Sequence, residues 1–197
     1  MNYLAHILLS GDHKELRIGN FIADSVRGKD FSKFPADVAR GITIHRLIDS
    51  FTDSHAIVRE SKDLIRPVYG LWSSVIVDLY YDHFLAANWS RYHDQDLESF
   101  TLDFYEDLNK SWEILPRRIQ RFYPIMVEHN WLYSYRTIQG MGVILYQMDQ
   151  RTKNKSKMQF ALKELQDHYK ELESQFHRFF AELQDYSNDL IKKMPLD

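Results

Sequence analysis

Four stretches of this chain place histidine and aspartate where helix packing has no use for them. In HRLIDSFTDSH, residues 45–55, an apolar stripe of Ile44, Leu47, Ile48 and Phe51 is enough to seat a helix on a core. At about 100° per residue, His45, Asp49 and Asp53 fall on a second stripe beside it. The segment VIVDLYYDHFLAANW, residues 75–89, is apolar nearly all round, yet Asp78 and Asp82 stand one turn apart and His83 follows directly. In GNFIADSVRG, residues 19–28, Asn20 and Asp24 share one face while Ile18, Phe21, Ile22 and Val26 fill the other. His6 lies within the first apolar turns, in NYLAHILL.

An ionised carboxylate taken out of water needs a counter-charge, so stacked buried aspartates imply an arginine such as Arg46 or a metal ion. Four helical segments each offering a histidine or aspartate beside an apolar face favour the metal, because a bundle can converge ligands from separate helices. The chain has no cysteine, so the ligands must be imidazole and carboxylate, a set that suits Mn, Mg, Fe or Zn. A divalent ion of this kind acidifies water and neutralises phosphoryl oxygens, which points to hydrolysis of a phosphate ester. There is no glycine-rich phosphate loop, no GxSxG and no HExxH.

The elements that must position these groups are helical. Seven glycines and five prolines punctuate 197 residues that are 44% apolar at mostly helical spacing, enough for one domain with a single core. The expected fold is all-α: a single domain, residues 1–197, of about seven helices. Breaks are expected near Gly11, from Gly28 to Phe34, and at Pro35, Pro67, Ser90 to Asp96, Pro116 and Pro124. A long C-terminal helix at about 157–193 carries Leu162, Leu165, Tyr169, Leu172, Phe176, Phe179, Leu183, Tyr186 and Leu190 in steps of three and four. That seam either closes the bundle or pairs two copies, and the oligomeric state is left open. A net charge of −3 gives no field for nucleic acid, and no stretch is apolar enough for membrane insertion. With no leader-like segment, the simplest location is cytoplasmic.

These residues together resemble the acyl carrier protein phosphodiesterases. The likeness rests on MNYLAH, GNFIADSVRG, GITIHRLIDSFTDSH (41–55) and VDLYYDHFLAANW (77–89), and covers the first half of the chain. It implies a metal-dependent phosphodiesterase that removes 4′-phosphopantetheine from holo acyl carrier protein, with Mn²⁺ as cofactor and Mg²⁺ or Fe²⁺ as alternatives. It also implies a fold distantly like the HD phosphohydrolases. The only adjacent His-Asp pair, His93-Asp94, sits in the polar stretch SRYHDQD, where Asp94 or Asp96 would cap the helix starting near Leu97.

On that resemblance His6, Asp24, Asp78 and Asp82 are the expected metal ligands, with His45 and Asp49 completing the set or orienting water. His83 or His55 would be the general acid, and Arg46 would clamp a phosphate oxygen or pair with Asp49 or Asp53. An acidic carrier protein would dock on Arg59, Lys62 and Arg66, or failing that on Arg117, Arg118 and Arg121. Two other functions fit the same residues: an HD-like phosphohydrolase acting on a nucleotide or other small phosphate ester, and a non-catalytic carrier-protein-binding module.

Overall fold

The computed structural model describes residues 1–194, and among them no strand occurs. The helices are α1 (Tyr3–Leu8), α2 (Lys14–Ile22), α3 (Ala36–Ser54), α4 (Ala56–Tyr69), α5 (Ser73–Ala87), α6 (Leu97–Lys110), α7 (Arg117–Glu128), α8 (Trp131–Ser134), α9 (Ile138–Arg151), α10 (Leu162–Asp167) and α11 (Tyr169–Lys193). They enclose one core. In α5, Ile76, Val77, Tyr80, Tyr81, Phe84 and Leu85 are all sealed from solvent, as its all-round apolar sequence requires.

There are more helices than the seven expected, and the differences have local causes. Pro35 and Pro116 stand at helix starts, where a missing N–H costs nothing. Pro67 and Pro124 instead lie inside α4 and α7. Each interrupts a helix whose buried face, Ile65 and Tyr69 in one and Ile119 and Met126 in the other, outweighs the lost hydrogen bond. The stretch expected as one helix at 157–193 is a short 3₁₀ turn, then α10, then α11, with the break at His168. Its seam is spent inside the chain: Leu172, Phe176, Phe179 and Leu183 are buried, and Phe51 of α3 stacks on Tyr186. Asp96 caps α6 through the Ser99 N–H at 2.9 Å, and His93-Asp94 lies in the loop before it, the His93 ring against Trp89.

Helices α2 and α3 meet without intervening side chains where Gly19 faces Gly41. A Cβ on Gly19 would sit 2.1 Å from the Val38 carbonyl oxygen, and one on Gly41 would sit 2.4 Å from that of Leu16. Backbone therefore touches backbone, and the next residues along each helix are brought face to face. Gly41→Ala is expected to force the pair apart at a cost of roughly 1–3 kcal/mol, read as a fall of several degrees in Tm on thermal unfolding. An unchanged Tm would mean that the two helices separate freely.

Candidate metal centre

Three of the singled-out residues converge where α1 crosses α3. The imidazoles of His6 and His45 stack with centroids 4.0 Å apart. One carboxylate serves both: Asp49 Oδ1 is 3.2 Å from His6 Nε2, and Asp49 Oδ2 is 3.0 Å from His45 Nε2. Among the described residues this is the group whose ligand atoms all lie within 4.8 Å of one another. Asp24, from the turn after α2, reaches His45 Nε2 at 3.3 Å with more than half of its side chain in solvent.

Both nitrogens of His6 are buried and make no hydrogen bond, the approach to Asp49 being close but poorly aligned. A buried imidazole with idle lone pairs is costly unless something else satisfies it. A divalent cation between His6 Nε2, His45 Nε2 and Asp49 would do so, and two imidazoles with one carboxylate are a donor set that such ions accept. The residues present fit a metal.

The surroundings fix the orientation of each donor. Ser10 Oγ donates to the His6 carbonyl oxygen at 2.9 Å, and Asn20 Nδ2 donates to Ser10 Oγ at 3.0 Å. Asn20 Oδ1 is thereby turned to His45 Nδ1, 3.1 Å away, which must carry the hydrogen. That leaves His45 Nε2 aimed at Asp49 and Asp24, the arrangement in which an outer partner sets a ligand's tautomer. On the other side, Asp82 of α5 accepts the backbone N–H groups of Leu4 (2.8 Å) and Ala5 (3.3 Å), fixing the start of α1 and so the position of His6.

Charge follows the same geometry. Burial drives the His6 pKa down to about 4, helped by the neighbouring His45, so His6 is neutral at pH 7. Burial also pulls His45 down, but Asp24 and Asp49 outweigh it and raise His45 to about 9. Burial would raise Asp49, yet its bonds to the two histidines hold it well below the ordinary carboxylate range. Burial raises Asp78, and the Met1 amino group 3.1 Å away opposes that rise.

The other sequence-derived candidates lie elsewhere. Asp82, expected as a metal ligand, has its oxygens occupied by α1, and burial raises its pKa to about 7. Asp78, also expected as a ligand, pairs with the Met1 amino group, which is itself 4.0 Å from Asp49 Oδ1. His83 is held by the Tyr135 carbonyl at 2.7 Å and the Tyr169 hydroxyl at 3.1 Å, which pins it between α5 and α11 rather than beside the two histidines. His55 caps α4 through the Ile57 N–H and meets Glu182 at 3.1 Å. Arg46 donates to the Gly28 and Val26 carbonyls and covers the Phe31 ring, so it ties down the 26–31 loop rather than facing a phosphate. Of the proposed docking cations, Lys62 is buried on Asp53 at 3.1 Å and Arg66 pairs with Asp63, while Arg59 is exposed. Arg117, Arg118 and Arg121 are all exposed. Sequence reasoning noted Asn20 only as a face-mate of Asp24 and missed Ser10, whose role depends on contacts across three helices.

The fold and this centre define an all-helical protein with imidazole and carboxylate gathered at one helix crossing. Residues 1–183 match the family model described as acyl carrier protein phosphodiesterase. Proteins named acyl carrier protein phosphodiesterase match along nearly their whole length. The one from Escherichia coli O6:H1 is 32% identical over 95% of this chain and 98% of its own. The one from Klebsiella pneumoniae subsp. pneumoniae is 30% identical over 93% and 95%, and the one from Photorhabdus laumondii subsp. laumondii is 28% identical over 91% of each. The chain belongs to the acyl carrier protein phosphodiesterase family. No solved structure matches it.

Two outcomes are expected at this centre. Because ligation through Nε2 must displace the His45 proton, Mn²⁺ affinity should rise about tenfold per pH unit from pH 6 toward 9 and then level off. Calorimetry in buffers of different ionisation enthalpy should count close to one proton released near pH 7, and a pH-independent affinity would contradict the assignment. Asn20→Ala should weaken Mn²⁺ binding by about 10–100-fold with helical content kept, as loss of an outer partner does.

Proposed function

We propose that this protein is a metal-dependent phosphodiesterase that hydrolyses the 4′-phosphopantetheine–serine linkage of holo acyl carrier protein, giving the apo protein and free 4′-phosphopantetheine. The observation that carries the reading is the meeting of His6, His45 and Asp49 around idle imidazole lone pairs, in a chain matched by its family model from residue 1 to 183. Mn²⁺ is the preferred ion, with Mg²⁺ or Fe²⁺ as alternatives, and His6, His45 and Asp49 hold it. A divalent ion there supplies positive charge that neutralises a phosphoryl oxygen and acidifies the attacking water.

The chain's own residues divide the remaining work. The Asn20–Ser10 pair holds His45 in the tautomer that presents Nε2. Asp82 holds α1, and with it His6, against α5. Asp24 stays ionised, chiefly through its bond to His45, and keeps an oxygen toward solvent, which suits a base that takes the proton from water. The water oxygen bonds to phosphorus, the bond from phosphorus to the serine oxygen breaks, and the serine recovers a proton.

The test is the mass of holo acyl carrier protein after incubation with this protein and Mn²⁺. Loss of the mass of the prosthetic group is expected, abolished by chelator and restored by Mn²⁺. No loss at any metal concentration, with activity on a generic phosphodiester instead, would move the substrate to a small phosphate ester. Asp24→Ala should lower kcat by about 10²–10⁴-fold, the usual share of a general base, with Mn²⁺ affinity nearly kept. A parallel collapse of Mn²⁺ binding would make Asp24 a ligand instead.

A further inference from the structure

Beside the centre a cavity of about 260 Å³ runs between α5, α7 and α9, and its lining includes Asp24 and Asp78. Asp24 touches His45, and Asp78 is linked through the Met1 amino group to Asp49, so one end of the cavity lies a single contact away from the residues of the centre. Part of its wall is apolar, built from side chains such as Leu79, Ile144 and Met148. Trp131 is a further wall.

Two guanidinium groups also line this cavity, Arg118 of α7 and Arg151 at the end of α9. Neither has a carboxylate partner among the described residues; Arg151 rests on the Trp131 ring, 5.4 Å from its centroid, and touches the Met148 sulfur. Burial and Asp24 raise the Tyr3 hydroxyl pKa, and both guanidinium groups are close enough to oppose that rise. Unpaired arginines facing a cavity that begins at carboxylates mark a place for an anion, since guanidinium matches phosphate with paired N–H donors.

We propose that this cavity is the site for the substrate's arm, with Arg118 and Arg151 holding the phosphate and the apolar part of the wall taking the chain. The ligand class is an extended chain with a phosphate at one end. The identification of that chain as 4′-phosphopantetheine rests on the reaction proposed above. It also assigns a role to Arg118 other than docking: it contacts the prosthetic group, not the protein that carries it.

The experiment is calorimetric binding of free 4′-phosphopantetheine to the Mn²⁺-loaded protein, alongside inorganic phosphate and unphosphorylated pantetheine. The wild type should bind the phosphorylated arm more tightly than either fragment. Ile144→Trp, which fills the cavity, should abolish binding of the arm while leaving phosphate bound. Arg118→Ala with Arg151→Ala should weaken both phosphate and the phosphorylated arm by at least about tenfold. Mn²⁺ affinity should stay within about twofold in each, which a general loss of structure would not permit. Met148→Trp, on the same wall, replaces Ile144→Trp should the latter lose its helical circular dichroism. Wild-type affinity for the arm in the filled and arginine-free variants would overturn the proposal, as would hydrolysis of holo carrier protein with unchanged KM in both. Absence of hydrolysis in the wild type, with binding of the arm intact and lost in the variants, would sink the reaction and leave the cavity site standing.

Discussion

The structure hangs on a place where two helices have no side chains between them. Gly19 and Gly41 let α2 and α3 meet backbone to backbone, closer than any pair of Cβ-bearing residues would allow. One residue past Gly19 is Asn20, and four past Gly41 is His45. The contact therefore sets the reach from Asn20 Oδ1 to His45 Nδ1, and through the following turn it sets the reach from Asp24 to His45 Nε2. A wider crossing would leave His45 free to turn, and the second imidazole would lose its aim.

The centre is then a matter of unequal electrostatics between two similar rings. His6 sits deeper and has no aligned partner, so burial keeps it neutral; His45 bridges two carboxylates and keeps its proton. Stacked at 4.0 Å, they could not both be charged without strong repulsion. A bound metal would resolve this by giving His6 a partner and replacing the His45 proton with an ion. Asp49 serves both states, because its two oxygens already face the two rings. Further out, two arginines without a carboxylate partner among the described residues line the adjoining cavity, so guanidinium groups lie next to a cluster of imidazole and carboxylate.

The sequence made the helical class legible through apolar spacing, and it made the centre partly legible because charged residues broke that spacing at His6, Asp24, His45 and Asp49. What it could not show was partnership across the chain. Asp82 looks like a ligand in sequence because its partners are backbone N–H groups 77 and 78 residues away, which no side-chain pattern reveals. Arg46 sits among aspartates in sequence, but its turn on the helix sends it to loop carbonyls. Arg59, Lys62 and Arg66 look like one basic face, yet Lys62 turns inward onto Asp53. Arg151 carried no signal at all, since the cavity it lines is assembled from α5, α7 and α9.

The claim on which everything else rests is that His6, His45 and Asp49 share one cation. Anomalous diffraction from crystals soaked in Mn²⁺ tests it without reference to turnover. A peak is expected within bonding reach of His6 Nε2, His45 Nε2 and the Asp49 carboxylate. Peaks only at exposed carboxylates elsewhere, with the two imidazoles still stacked and no density between them and Asp49, would contradict it.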